Sequence, residues 1–106
     1  MELNLDNKLA LVTGSNRNTG EIIAQTLAHS GARVVFHANE CDGSAAMAAQ
    51  GAGTGLSVEG DIATQEGCAA VLEQLAVQGL AVEILVNNYG TASFAKWDSV
   101  RDEEWL

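Results

Sequence analysis

An open, doubly wound parallel α/β sheet of about four strands is the fold this sequence predicts, on three observations. Short apolar runs recur along the chain at Leu9 to Val12, Arg33 to His37, Leu56 to Val58 and Ile84 to Val86, the pattern of strands buried on both faces of a parallel sheet. Between them lie stretches of helical periodicity or propensity, each near the length that a parallel crossover needs. The 106 residues, 47% of them hydrophobic, suffice for one compact domain and are too apolar for a disordered chain.

Leu9 to Val12 forms the first strand and stops at Thr13-Gly14. After a loop over Ser15 to Thr19, the residues Ile23, Leu27 and Ser30 fall on one helical face with Ile22 and Thr26 beside them, and Gly31 supplies a stop. That predicts a helix of about three turns. Arg33 to His37 is β-branched and aromatic and becomes the second strand. Gly43 to Gln50, rich in alanine, predicts a short helix with a thin apolar face, and Gly51, Gly53 and Gly55 a loop. Leu56 to Val58 is the third strand, ending near Asp61. Thr64 is placed to cap a helix in which Cys68, Val71, Leu72, Leu75 and Ala76 follow the i, i+3, i+4, i+7 rule, so Cys68 reads as core. Ile84 to Val86 predicts a fourth buried strand ending at Asn87-Asn88, and Asp102 to Leu106 the beginning of another helix.

Composition excludes several classes of function. With 14 acidic against 5 basic residues and a formal net charge of -9, the summed field repels a phosphate backbone, so nucleic acid is a poor partner. A single small anion is still compatible, because backbone N–H groups and one arginine act locally. Cys41 and Cys68 are too few to staple a chain of this size. No apolar run approaches the ~18 residues that span a bilayer, and no basic-then-apolar leader opens the chain, so a cytoplasmic protein away from membranes is expected. His37 and Cys41 lack a second pair at ligand spacing, and no metal site is expected.

Thr13-Gly14-Ser15-Asn16-Arg17-Asn18-Thr19-Gly20 lies between the first strand and the first helix, where free N–H groups and the helix dipole favour a pyrophosphate. Gly14 allows the sharp turn and Gly20 a close packing of helix on strand. The alternative is a turn that holds no ligand. It is not a P-loop, because no Gly-Lys-Ser/Thr follows. Gly51-Ala52-Gly53-Thr54-Gly55 mimics a nucleotide fingerprint but precedes a strand and reads as a loop.

The segment from Thr13 to Gly20 resembles the Thr-Gly-x-x-x-Gly-x-Gly motif of short-chain dehydrogenases/reductases, and Asn87-Asn88-Tyr89-Gly90 resembles that family's Asn-Asn-Ala-Gly after the fourth strand. Arg101 to Trp105, Arg-Asp-Glu-Glu-Trp, resembles the start of the next helix in bacterial 3-oxoacyl-acyl-carrier-protein reductases. The sequence departs from the pattern at Asn18, where the family has its middle glycine, and at Tyr89, where it has a small residue. Asn tolerates left-handed dihedrals better than most residues.

The resemblance implies a Rossmann-like domain that binds a nicotinamide dinucleotide, with residues 1–106 as the N-terminal part of it. It implies cofactor contacts from Gly14, Ser15, Asn16, Arg17, Thr19 and Gly20 in the loop, from Asn39 after the second strand, from Asp61 with Ile62 after the third, and from Asn87 and Gly90 after the fourth. Arg17 matches a basic residue that NADP-dependent members set against the 2′-phosphate. Ala38 stands where NAD-dependent members carry an Asp, whereas Glu40 lies two positions late for that role. NADP is therefore favoured over NAD. A small carbonyl or alcohol substrate and a homo-oligomeric intact protein are implied as well.

The family's catalytic residues, a Ser and a Tyr-x-x-x-Lys pair, have no match here, since Tyr89 is the only Tyr and Ser93 lies four residues beyond it. The expectation is the cofactor-binding portion of a longer, truncated or split reductase, inactive by itself. A non-catalytic nucleotide-binding or interaction module derived from the same half-fold is the alternative.

Overall fold

The structure, a computed structural model, describes residues 5–88. The expected elements alternate in order: β1 (Leu9–Val12), α1 (Asn18–His29), β2 (Arg33–Ala38), α2 (Ser44–Ala52), β3 (Leu56–Glu59), α3 (Gln65–Val77) and β4 (Ile84–Val86). All pairings are parallel, and the sheet runs β3-β2-β1-β4. Strand order thus reverses direction at β1, whose neighbours are β2 on one side and β4 on the other. Tyr89, Gly90 and the helix expected at Asp102 to Leu106 lie outside the described residues.

Alternation along each strand sends successive side chains to opposite faces. Val12, Val34, Phe36 and Ala38 pack with Ala24 of α1 and with Ala45, Ala48 and Ala49 of α2. Leu9, Leu11, Val35 and Val58 pack against Val71 and Leu75 of α3. The helices therefore cover both faces, which is the doubly wound arrangement. Small residues set the spacing on the first face: the alanines of α1 and α2 leave room there for Phe36, which is fully buried.

Several local expectations need correction. The α2 helix continues through Gly51 to Ala52 and ends with Gly53 as its C-cap, so the glycine loop is shorter than composition suggests. Thr64 caps α3 as expected, its hydroxyl accepting the Gly67 N–H at 2.9 Å. The buried stripe of α3 is narrower than its apolar content, for only Val71 and Leu75 are buried while Leu72 is 66% exposed and Ala76 also faces outward. Cys68 is exposed rather than core, its thiol donating to the Ile62 carbonyl at 3.2 Å. Helical spacing marks a face about 100° wide or more, and α3 buries only the middle of it. Ile22 in α1 is exposed for the same reason, Gly20 and Ala24 being the buried positions there. In β4, Leu85 is 62% exposed, so the fourth strand is not buried on both faces. Among the described residues it pairs with β1 alone.

Packing density predicts the consequences. Phe36→Ala is expected to lower stability by about 3–5 kcal/mol, the usual loss on emptying a buried aromatic site. Leu72→Gln, on the outward face of α3, should stay within about 0.5 kcal/mol. Urea denaturation of both variants measures the contrast.

Candidate functional site

The chain leaves β1 at Thr13 and reverses at Gly14, whose φ is 64°. A side chain is strained in that left-handed conformation. Two buried residues hold the reversal from beneath. The Ser15 hydroxyl donates to the Val12 carbonyl at 2.6 Å and accepts the His37 N–H at 2.9 Å, and the Ser15 N–H donates to the His37 carbonyl at 3.0 Å. The His37 ring, fully buried, accepts the Gly14 N–H at Nδ1 over 2.9 Å and lies 2.8 Å from the Gly60 carbonyl at Nε2. A neutral imidazole has one donor and one acceptor nitrogen. The Gly14 donor therefore assigns the proton to Nε2, which donates to Gly60. Burial holds the His37 pKa below its ordinary value, outweighing the Gly60 carbonyl and the carboxylates of Asp61 and Glu40, which act the other way.

From that reversal the chain enters α1. Its first turn leaves backbone N–H groups without intrahelical acceptors. At α3 the Thr64 hydroxyl takes up one of these, and at α2 Asp42 Oδ1 accepts the Ser44 N–H at 3.0 Å. At α1 the N-cap residue Arg17 provides no side-chain cap. Asn18 opens the helix at φ 57°, so the position where a glycine was expected does require a left-handed backbone, and Asn supplies it. Gly20 lies so close to the strand end that a Cβ there would meet the Gly14 carbonyl and Asn88 Nδ2. Asn88 closes this side, its N–H donating to Thr13 Oγ1 at 2.9 Å and its amide to the Gly14 carbonyl at 3.5 Å.

The result is an open cleft of about 430 Å³ beyond the carboxyl ends of β1 and β2. Of the residues expected at a cofactor site, Gly14, Asn16, Arg17, Thr19, Gly20 and Asn39 line it. Ser15 faces inward and supports the turn. Asn87 is exposed, its Oδ1 accepting from the Thr13 hydroxyl at 3.4 Å, and it is Asn88 that lines the cleft. Asp61 and Ile62 are tied to the cleft through Asn39, which donates to Asp61 Oδ1 at 2.8 Å and accepts the Ile62 N–H at 3.0 Å. Arg17 and Glu40 sit on the rim as an exposed ion pair at 3.5 Å. Gly90 lies outside the described residues. Sequence reasoning weighed His37 only as a metal ligand, although its place one residue before the end of β2 puts it beside the glycine loop.

A reversal, an uncapped helix N-terminus and a cleft at the point where strand order changes direction are an arrangement able to accept an anionic ligand. Comparison with known proteins agrees with the motif. The pattern of the short chain dehydrogenase family matches residues 8–106. This chain belongs to that family.

The 3-oxoacyl-[acyl-carrier-protein] reductase FabG of Escherichia coli is 39% identical over 107 residues, covering 97% of this chain and 42% of the relative. The chain thus spans less than half the length of that relative. Among solved structures, a gluconate 5-dehydrogenase from Burkholderia cenocepacia in complex with NADP and tartrate superposes with a TM-score of 0.77 at 30% identity, over 98% of this chain and 42% of the other. The L-sorbose reductase of Gluconobacter frateurii, complexed with NADPH and L-sorbose, gives 0.76 at 36% identity, over 99% and 41%.

Two outcomes follow for the family's loop as this chain builds it. Asn18→Ala should destabilise by roughly 1 kcal/mol, because alanine meets the full left-handed penalty, while Asn18→Gly should not destabilise; thermal melts of both decide it. Stability should also fall as pH drops below about 6.5, where an unfolded imidazole takes up a proton that the buried His37 refuses. The fall continues down to the folded-state pKa. Urea midpoints at pH 7.5 and 5.5 measure it, with a smaller change expected in His37→Asn.

Proposed function

We propose that this chain is the cofactor-binding part of an NADP-dependent oxidoreductase, which moves hydride between the nicotinamide and a carbonyl or alcohol substrate. The observation that carries the reading is the uncapped N-terminus of α1 opening onto the cleft between Gly14 and Gly20. Dipole and donors there favour a pyrophosphate. Family membership and the dinucleotides named with two solved relatives support the same reading.

In this reading the loop from Gly14 to Gly20, through Asn16 and Thr19, holds the pyrophosphate, with Ser15 keeping the turn in shape. Arg17 meets the 2′-phosphate with Asn39 beside it, and the phosphate takes the place of the Glu40 carboxylate as the partner of Arg17. Asp61 and Ile62 bound the adenine, while Asn87 and Gly90 border the cofactor after β4. The bound cofactor supplies the hydride. The residues here bind and orient it. The acid that protonates the substrate oxygen has no counterpart in the sequence, whose one Tyr is followed by no Lys at the fourth position. The alternative reading is a non-catalytic nucleotide-binding or interaction module derived from the same half-fold. A cytoplasmic protein that forms homo-oligomers when intact, acting away from membranes and nucleic acid, completes the proposal.

Titration calorimetry with NADP+ and NAD+ tests it. Tighter binding of NADP+ is expected. Arg17→Ala should remove roughly 1.5–3 kcal/mol of that preference, the usual worth of a charge-assisted hydrogen bond. Equal affinities before and after the substitution would refute the role of Arg17. In a second assay the 106-residue chain is expected to oxidise no NADPH with ketones or 3-oxoacyl thioesters. Turnover that disappears in Gly14→Val would show that the chain holds its own catalytic acid.

A further inference from the structure

The His37 imidazole lies between two walls of the cleft that share no strand pairing. In the sheet order β3-β2-β1-β4, β2 separates β1 from β3, so a side chain from the end of β2 is placed between the loop after β1 and the turn after β3. His37 makes that connection, with Gly14 N–H on Nδ1 at 2.9 Å and the Gly60 carbonyl on Nε2 at 2.8 Å. Gly14 begins the loop that leads to α1. Gly60 leads directly to Asp61, whose carboxylate accepts from Asn39 and from the Ala63 N–H.

We propose that His37 is a positioning residue of the dinucleotide cleft, its neutral Nε2–H imidazole setting the glycine loop against the Asp61 turn so that ligand affinity depends on the ring staying unprotonated. The inference rests on the cofactor reading given above and adds a residue and a proton linkage to it. Protonation puts a second hydrogen at Nδ1, directly facing the Gly14 N–H, and two donors cannot share that contact. Because the ring is fully buried, it has no solvent to turn toward, and the Gly14 peptide must move. Gly14 itself has little slack, since its own carbonyl, in the following peptide, borders Gly20 so closely that a Cβ there would collide with it. The loop therefore shifts with the start of α1, where the pyrophosphate is held. Among the described residues, the charged groups acting on the ring are the carboxylates of Asp61, after β3, and Glu40, after β2; the loop after β1 brings a backbone N–H. Both carboxylates favour the protonated ring, so a change in their pairing when ligand binds bears on the same proton.

The test follows NADP+ and NAD+ affinity by calorimetry from pH 8 to 5.5 for the full chain, His37→Asn and His37→Gln. The asparagine oxygen can stand where Nδ1 stands and keep the Gly14 acceptor, whereas glutamine reaches toward Gly60 and leaves Gly14 without one. Expected is an affinity that falls with pH toward tenfold per unit below the ring pKa in the parent chain. His37→Asn, which keeps only the Gly14 arm of the bridge, should bind NAD+ more weakly than the parent at pH 8 but show no such slope, and His37→Gln should bind more weakly still throughout. The 2′-phosphate titrates only in NADP+, so the NAD+ arm isolates the ring. An unchanged slope in His37→Asn, or equal affinities for the two variants, overturns the proposal. If no dinucleotide binds at any pH, the cofactor reading fails, and hydrogen exchange at the Gly14 amide then decides the role of His37. Protection retained in His37→Asn and lost in His37→Gln supports it, and equal exchange overturns it. Ring nitrogen-15 shifts of the parent at pH 7.5 decide it without any variant, since an Nδ1–H tautomer contradicts the assignment.

Discussion

Everything at the cleft depends on one reversal of the chain, where β1 ends at Gly14 with a positive φ. The turn aims α1 back across the sheet and brings Gly20 against the strand end. It also buries polar groups that water cannot reach, and these must find partners within the protein. Ser15 and His37 provide them, and among the described residues no buried side-chain nitrogen or oxygen lacks a hydrogen bond. An unsatisfied group of this kind costs about 1–3 kcal/mol, so the reversal and its two supports stand or fall together.

Sheet order then decides where the reversal opens. With β2 on one side of β1 and β4 on the other, the chain runs outward from β1 through β2 to β3 and then crosses back by α3 to β4, so strand order changes direction beside the carboxyl end of β1. The cleft lies there. Arg17 and Glu40 face each other across its rim at 3.5 Å, and Asn88 closes it from β4. A chain with a formal net charge of -9 can nevertheless offer an anion site here, because N–H groups at the helix terminus act over a few ångströms and the summed charge is screened over about 10 Å.

The two faces of the sheet show how far periodicity carries. Buried runs in β1 and β2 identify themselves, because a strand covered on both faces has no polar side to display. In α3 the same logic overreaches. Leu72 and Cys68 obey helical spacing yet face outward, since a single sheet surface meets only the line through Val71 and Leu75. β4 reads as buried on composition, but it stands at the edge of the described sheet with Leu85 exposed. How wide a face is covered depends on the neighbour, and the neighbour is not written in the element itself.

The sequence by itself determined the order and type of the elements, the reversal at Thr13-Gly14, the close approach at Gly20 and the Thr64 cap. Each of these is a local demand on backbone dihedrals or side-chain period, met within a few residues along the chain. Tertiary structure alone decided that Ser15 supports the turn from inside, that Asn88 lines the cleft while Asn87 is exposed, that Arg17 pairs with Glu40, and that His37 bridges Gly14 and Gly60. Those contacts join residues more than twenty positions apart, or depend on which way a strand end turns. They are set by strand register, with Val12 opposite Phe36 and His37 opposite Val58, because one step of register would send the His37 ring to the other face of the sheet.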